Sequence, residues 1–147
     1  MIQRCFLFLI LVVISGQLSA SEYFSIQIID SETGRGVPLV ELSPNSGPAL
    51  LTDSNGFVAF NQPALMNQNV SFNLFSYGYS NLSQLLHPTA GGTVQIEIDR
   101  NNRAERLYRV TGTGIYQDSV QLGASVPIEK PLLNANVKGQ DSVQTAI

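Results

Sequence analysis

From Ser21 to Asp99 short apolar runs alternate with turn clusters, and their period is two residues. Phe24, Ile26 and Ile28 fall on one face of an extended segment, with Ser25 and Gln27 on the other. Val70, Phe72 and Leu74 alternate with Ser71 and Asn73, and Val94, Ile96 and Ile98 alternate with Gln95 and Glu97. These three predict strands with one wet face. Val37 to Leu42 predicts a fourth, and Pro38, which has no N–H to give a ladder, assigns it to a sheet edge. Leu50 to Thr52 and Phe57 to Phe60 enclose Asp53-Ser54-Asn55-Gly56, where Asn55-Gly56 predicts the positive φ angles of a tight reversal. Six or seven short strands with no helical pattern of ten residues predict an all-β fold. The expected form is a small antiparallel β-sandwich of about seven strands.

The grammar changes after Asp99. Asn101 to Arg109 predicts a short helix capped by Asn101 or Asn102, with Ala104, Leu107 and Tyr108 at i, i+3, i+4 spacing and Thr111-Gly112-Thr113-Gly114 stopping it. Arg100, Arg103, Arg106 and Arg109 then form a loose stripe, read as a solvated face. From Ile115 the chain is polar and broken by Pro127 and Pro131, which predicts a largely irregular linker or tail. The expected organisation is a sandwich over 21–100 and a short helix plus tail over 101–147.

The first twenty residues belong to neither part. One positive charge in Met1–Arg4, the ten-residue apolar run Cys5–Ile14 and the small polar stretch Ser15–Ala20 follow the three-part plan of a secretory signal peptide. The apolar run is about half the roughly 20 residues a membrane-spanning helix needs. Cleavage after Ala20 predicts a secreted product, periplasmic or extracellular, with no membrane attachment. The one cysteine, Cys5, leaves with the leader, so the mature chain has no internal disulfide and rests on its core alone.

Charge and composition narrow the function classes. The chain has 8 basic and 11 acidic residues, and losing Arg4 with the leader leaves 7 against 11, a net of -4. With 13% charged residues, this excludes a polybasic nucleic-acid binder and a charge-rich disordered chain.

Candidate chemistry is sparse. His87 is the only imidazole, and with no mature cysteine it cannot complete a zinc site or a triad, so it reads as a loop histidine. Asp30-Ser31-Glu32 and Asp53-Ser54-Asn55 offer oxygens, but calcium needs six to eight of them and no spaced D-x-D-x-D-G loop is present. Asp30, Gly34, Asp53, Asn55, Gly56 and Gly78 are therefore assigned to turns, with no metal and no cofactor expected. Phe75, Tyr77 and Tyr79 alternate against Leu74, which predicts an aromatic row facing outward, as in carbohydrate-stacking modules. The reading preferred over that row is structural: tyrosines commonly close the ends of sandwiches, and Gly78 twists the strand and turns them inward.

The order of strands and turns resembles the carboxypeptidase regulatory-like domains, small sandwiches of transthyretin-like topology. The residues that carry it are Asp30 at a strand end, the Thr33-Gly34 turn, Pro38, Thr52-Asp53 with Gly56, and Gly78-Tyr79 after a strand. The resemblance spans residues 22 to 99; the loop from Leu65 to Val70 departs from it by lacking a Gly-x-Tyr. It implies a non-catalytic accessory, spacer or interaction module with a protein or domain partner, and a chain that leads into a longer multidomain protein. Carbohydrate binding through Tyr77, Tyr79 and Phe75 is the alternative. A transthyretin-like hydrolase is disfavoured: such enzymes carry several histidines and end in Tyr-Arg-Gly-Ser, whereas Tyr108-Arg109 here precedes Val110-Thr111.

Overall fold

In the computed structural model, residues 22–107 and 114–127 are described. Residues 1–21, which include the stretch read as a leader, residues 108–113 with Tyr108 and Arg109, and residues 128–147 of the expected tail lie outside the described residues.

Among the described residues seven strands form two sheets: β1 (Phe24–Asp30), β2 (Glu41–Pro44), β3 (Leu50–Leu51), β4 (Phe57–Phe60), β5 (Val70–Phe75), β6 (Leu82–Leu86) and β7 (Thr93–Ile98). The first sheet has the order β4-β1-β7 and the second β3-β2-β5-β6. The protein is an all-β sandwich. Alternation decides which side chains meet: Ile26 and Ile28 from β1, Val58 and Phe60 from β4, and Ile96 and Ile98 from β7 share a core with Leu42, Val70, Phe72, Leu74 and Leu86 from the other sheet. Phe60 spans the two layers, with its ring centroid 5.6 Å from Phe24 and 6.0 Å from Phe72. Burying a ring of this kind contributes roughly 1.5–3 kcal/mol.

The strands predicted from alternation at Phe24, Val70 and Val94 correspond to β1, β5 and β7. One pairing departs from an antiparallel sandwich: β1 and β7 run parallel, with Ile26 opposite Val94 and Ile28 opposite Ile96.

The predicted strand Val37–Leu42 needs correction. β2 starts at Glu41, because Leu39 takes a left-handed φ of 56° and breaks the extended run. Thr52 replaces the lost ladder there: its buried hydroxyl accepts from Val40 N at 2.9 Å and donates to Val37 O at 2.6 Å. Pro38 therefore precedes the strand, and β2 lies between β3 and β5 rather than at an edge.

The Asp53–Gly56 turn connects β3 to β4, but the two strands do not pair with each other: β3 joins β2 in one sheet and β4 joins β1 in the other. The turn carries the chain between layers. Of Asn55-Gly56, Gly56 alone has positive φ, at 78°. It is also pressed onto β1, where an added Cβ would meet Ile28 O at 2.2 Å.

The predicted helix over Asn101–Arg109 does not form across its described residues, 101–107, which are irregular. A five-residue helix, α1 (Gln117–Gln121), instead occurs inside the stretch assigned to the tail. Ile115, Tyr116 and Ser119 are buried, and Ser54 N donates to Ile115 O at 2.8 Å. Residues 114–127 are thus docked on the sandwich. Their apolar residues are few, and polar bonds to a preformed turn supply what burial alone does not.

Candidate ligand-binding site

Two buried carboxylates organise the ends of the sandwich. Asp30 closes β1: its Oδ1 accepts from the backbone amides of Glu32 and Thr33, each at 3.0 Å. Its Oδ2 accepts from the Tyr79 hydroxyl at 3.0 Å and lies 2.9 Å from Arg100 Nε. Burial works against its charge. The Tyr79 hydroxyl, the two amides and the Arg100 guanidinium outweigh burial and hold its carboxyl below the usual value of 3.8. Burial and the adjacent carboxylate push the Tyr79 phenol above its ordinary 10.0. Gly34 completes the loop after Asp30 with φ 69°.

Asp53 has the same design. Its Oδ1 accepts from Asn55 N and Phe57 N, and its Oδ2 accepts from Ser119 N and Ser119 Oγ at 2.8 and 2.6 Å. Asp118, next along α1, accepts from Ala59 N at 3.3 Å. Burial and the charge of Asp53 outweigh that bond and raise the Asp118 carboxyl from 3.8 to about 6. Asp30 and Asp53 are engaged in holding turns, and among the described residues no three His, Cys, Asp or Glu side chains group as metal ligands. His87 is exposed, and its ring Nδ1 lies 3.1 Å from Asn69 Oδ1.

The arginines divide into separate roles because the segment carrying them is not helical. Arg100, with a side chain 11% exposed, is paired with Asp30 and also with Glu32. Arg106 reaches across to the β5 end: its guanidinium donates to Pro38 O at 3.0 Å, Ser76 Oγ at 2.9 Å and Tyr77 O at 3.1 Å. Neither is a solvated face. The sequence showed these charges but not the carbonyls they would find.

The aromatic trio is split by a turn. β5 ends at Phe75, and Ser76-Tyr77-Gly78-Tyr79 forms a β-turn in which Tyr79 N donates to Ser76 O at 3.1 Å and Gly78 takes φ 84°. The turn reverses Tyr79 into the core, where it is 3% exposed, and leaves Tyr77 at the corner, 82% exposed. Phe75, on the outer face of β5, is 51% exposed. The structure brings Phe75 and Tyr77 to one surface and assigns Tyr79 to the Asp30 bond.

The turn is held from several sides. Besides the Arg106 bonds to Ser76 and Tyr77, Asn101 N donates to Gly78 O and Asn101 Nδ2 donates to Tyr79 O, each at 3.0 Å. Two clefts flank the Tyr77 ring. One, of about 480 Å³, is lined by Phe75, Tyr77, Asn81, Asn101 and Asn102 with the turn backbone. The other, of about 340 Å³, runs past Asn102 to Glu105 and Arg106. A larger cleft of about 590 Å³ lies elsewhere, between Arg35, Asn55, Leu107 and Tyr116.

No family model matches the chain. No curated protein matches it. Among solved structures it is similar to 3-chlorocatechol 1,2-dioxygenase from Rhodococcus opacus, at 13% identity and a TM-score of 0.41. The match covers 53% of this chain and 59% of the dioxygenase, so the chain spans under two thirds of that neighbour. A likeness this distant carries no inference about chemistry.

Proposed function

We propose that this chain is an exported, non-catalytic β-sandwich module of the carboxypeptidase regulatory-like kind, an accessory or interaction domain that leads a longer multidomain protein. The observation that carries the reading is the Ser76–Tyr79 turn: Arg106 and Asn101 give it three hydrogen bonds on backbone carbonyls and one on the Ser76 hydroxyl, while an 82% exposed aromatic ring stands on its corner. Rigid presentation of an amphipathic ring lowers the ordering cost of binding, which is what a recognition surface needs. The buried carboxylates support the non-catalytic part, since Asp30 and Asp53 already accept hydrogen bonds on both oxygens. A second reading, that the ligand is a carbohydrate, is favoured by the same exposed ring.

Two measurements test this. The full chain fused to a reporter that is active only outside the cytoplasm should be active, with a mature N-terminus at Ser21; cytoplasmic retention with residues 1–20 intact overturns export. The purified exported product should give no turnover on panels of ester, peptide and glycoside substrates. Turnover lost on Asp30→Asn or Asp53→Asn, in a variant still folded by circular dichroism, overturns the non-catalytic assignment.

A further inference from the structure

We infer that the Ser76–Tyr79 turn and its 480 Å³ cleft are a subsite for an uncharged glycan, with Tyr77 as the stacking platform and three asparagine side chains as hydroxyl partners. The inference rests on the interaction-module reading and names its ligand class. Three features select that class.

The ring comes first. Tyr77 contributes almost nothing to the core, yet the backbone beneath it is fixed, so its face is available at little conformational cost. Phe75 lies two residues away on the same cleft and extends the apolar floor. Sugar rings present patches of C–H groups that lie on such faces.

Polar groups in the cleft come second, and they are carboxamides with open capacity. Asn101 donates Nδ2 to Tyr79 O, which leaves its Oδ1 as an acceptor. Asn102 accepts from Ala104 N at Oδ1, which leaves its NH2 group over Gly78, where an added Cβ would meet Nδ2 at 2.8 Å. Asn81 is exposed and makes no side-chain hydrogen bond among the described residues. Paired donors and acceptors of this kind match neighbouring hydroxyls, each of which both gives and takes a hydrogen bond.

Charge decides the rest. The residues lining this cleft carry none, and Arg106, on the adjoining cleft, is occupied by Pro38 O, Ser76 Oγ and Tyr77 O. A uronate, a sialylated chain or an acidic peptide would lose hydration there with no counter-charge in the lining.

The test is a titration of the exported chain with neutral oligosaccharides of glucose, mannose, galactose, xylose and N-acetylglucosamine, each beside a uronic-acid oligomer and an acidic and a neutral peptide. At least one neutral oligosaccharide should bind. Tyr77→Ala should weaken it by about tenfold or more, the loss expected of a stacked tyrosine anchor, with the melting temperature unchanged. Asn81→Ala should weaken it by about threefold to tenfold, a lost neutral hydrogen bond. Leu85→Ala, on the exposed part of β6, should leave binding intact. Binding of none of the neutral oligosaccharides, binding unaffected by Tyr77→Ala, or binding only of the uronate or a peptide overturns the glycan assignment. The peptide result leaves the interaction-module reading standing. Conversely, a neutral glycan that binds at Tyr77 and is also cleaved keeps the subsite and overturns the non-catalytic reading.

Discussion

Asp53 Oδ2 accepts both the hydroxyl and the backbone amide of Ser119, at 2.6 and 2.8 Å, and so joins the turn between β3 and β4 to a helix 66 positions along the chain. Both residues are buried. A local turn device thus has a second, long-range use.

Ser119→Ala removes the hydroxyl bond and keeps the amide bond, and should destabilise the protein by about 1–2 kcal/mol. Asp53→Ala leaves four donors without their acceptor and should cost about 3 kcal/mol or more. Urea midpoints of the two single variants and the double variant check this. The two losses should be strongly non-additive, because both report one interaction.

Tyr79 and Tyr77 should behave oppositely. Tyr79→Phe deletes the hydroxyl that donates to buried Asp30 and should cost about 1–3 kcal/mol, whereas Tyr77→Phe should leave stability unchanged within about 0.5 kcal/mol. Thermal melts of the two variants decide it.

The Asp30 bond also predicts acid behaviour. Its folded-state pKa lies below the unfolded one, so the unfolded state binds more protons in that window. The associated stability is fully present above the ordinary carboxylate range and is lost as pH falls through the depressed folded value. In Tyr79→Phe the acid unfolding midpoint should therefore move to higher pH, read by near-ultraviolet circular dichroism.

Asp118 has the reverse sign. Its folded pKa, raised from 3.8 to about 6, makes the folded state the better proton binder between those values, so this group's contribution falls as pH rises from about 4 to about 6. Asp118→Asn keeps an acceptor for Ala59 N without the charge. Urea midpoints should show the variant more stable than the parent at pH 7, with the difference vanishing near pH 4.

Gly34 and Gly56 separate conformation from packing. Both have positive φ, 69° and 78°, but a Cβ at Gly34 meets nothing within 4 Å while one at Gly56 meets Ile28 O at 2.2 Å. Gly34→Ala should cost about 1–2 kcal/mol, the left-handed penalty alone. Gly56→Ala should cost distinctly more, because the carbonyl it strikes sits in a hydrogen-bonded β1. Calorimetric melts rank them.

Period-two alternation was enough to find β1, β5 and β7, because side-chain direction along a strand is a local property of the backbone, but not every residue they bury: Ser25, expected on a wet face, is 3% exposed because β1 is covered on both faces. Turn chemistry at Asp53 and Gly56 was legible for the same reason. Sheet membership was not: FVAF pairs with β1 instead of β3, a choice made by the competition of two core faces for the same strand. Tyr79 shows the limit most sharply. Alternation alone aims it outward with Phe75 and Tyr77; Gly78 marked the turn that reverses it, but nothing local marked the buried carboxylate 49 positions earlier that holds it in. Arg106 and Ser119 looked like solvent-facing charge and tail because hydrophobicity patterns record how much apolar area a segment can bury, and these residues are held by hydrogen bonds to partners that exist only after the sheets have closed. Apolar spacing along the chain specifies the strands; which polar groups are buried, and which ring is left standing in water, depends on contacts between residues far apart in sequence.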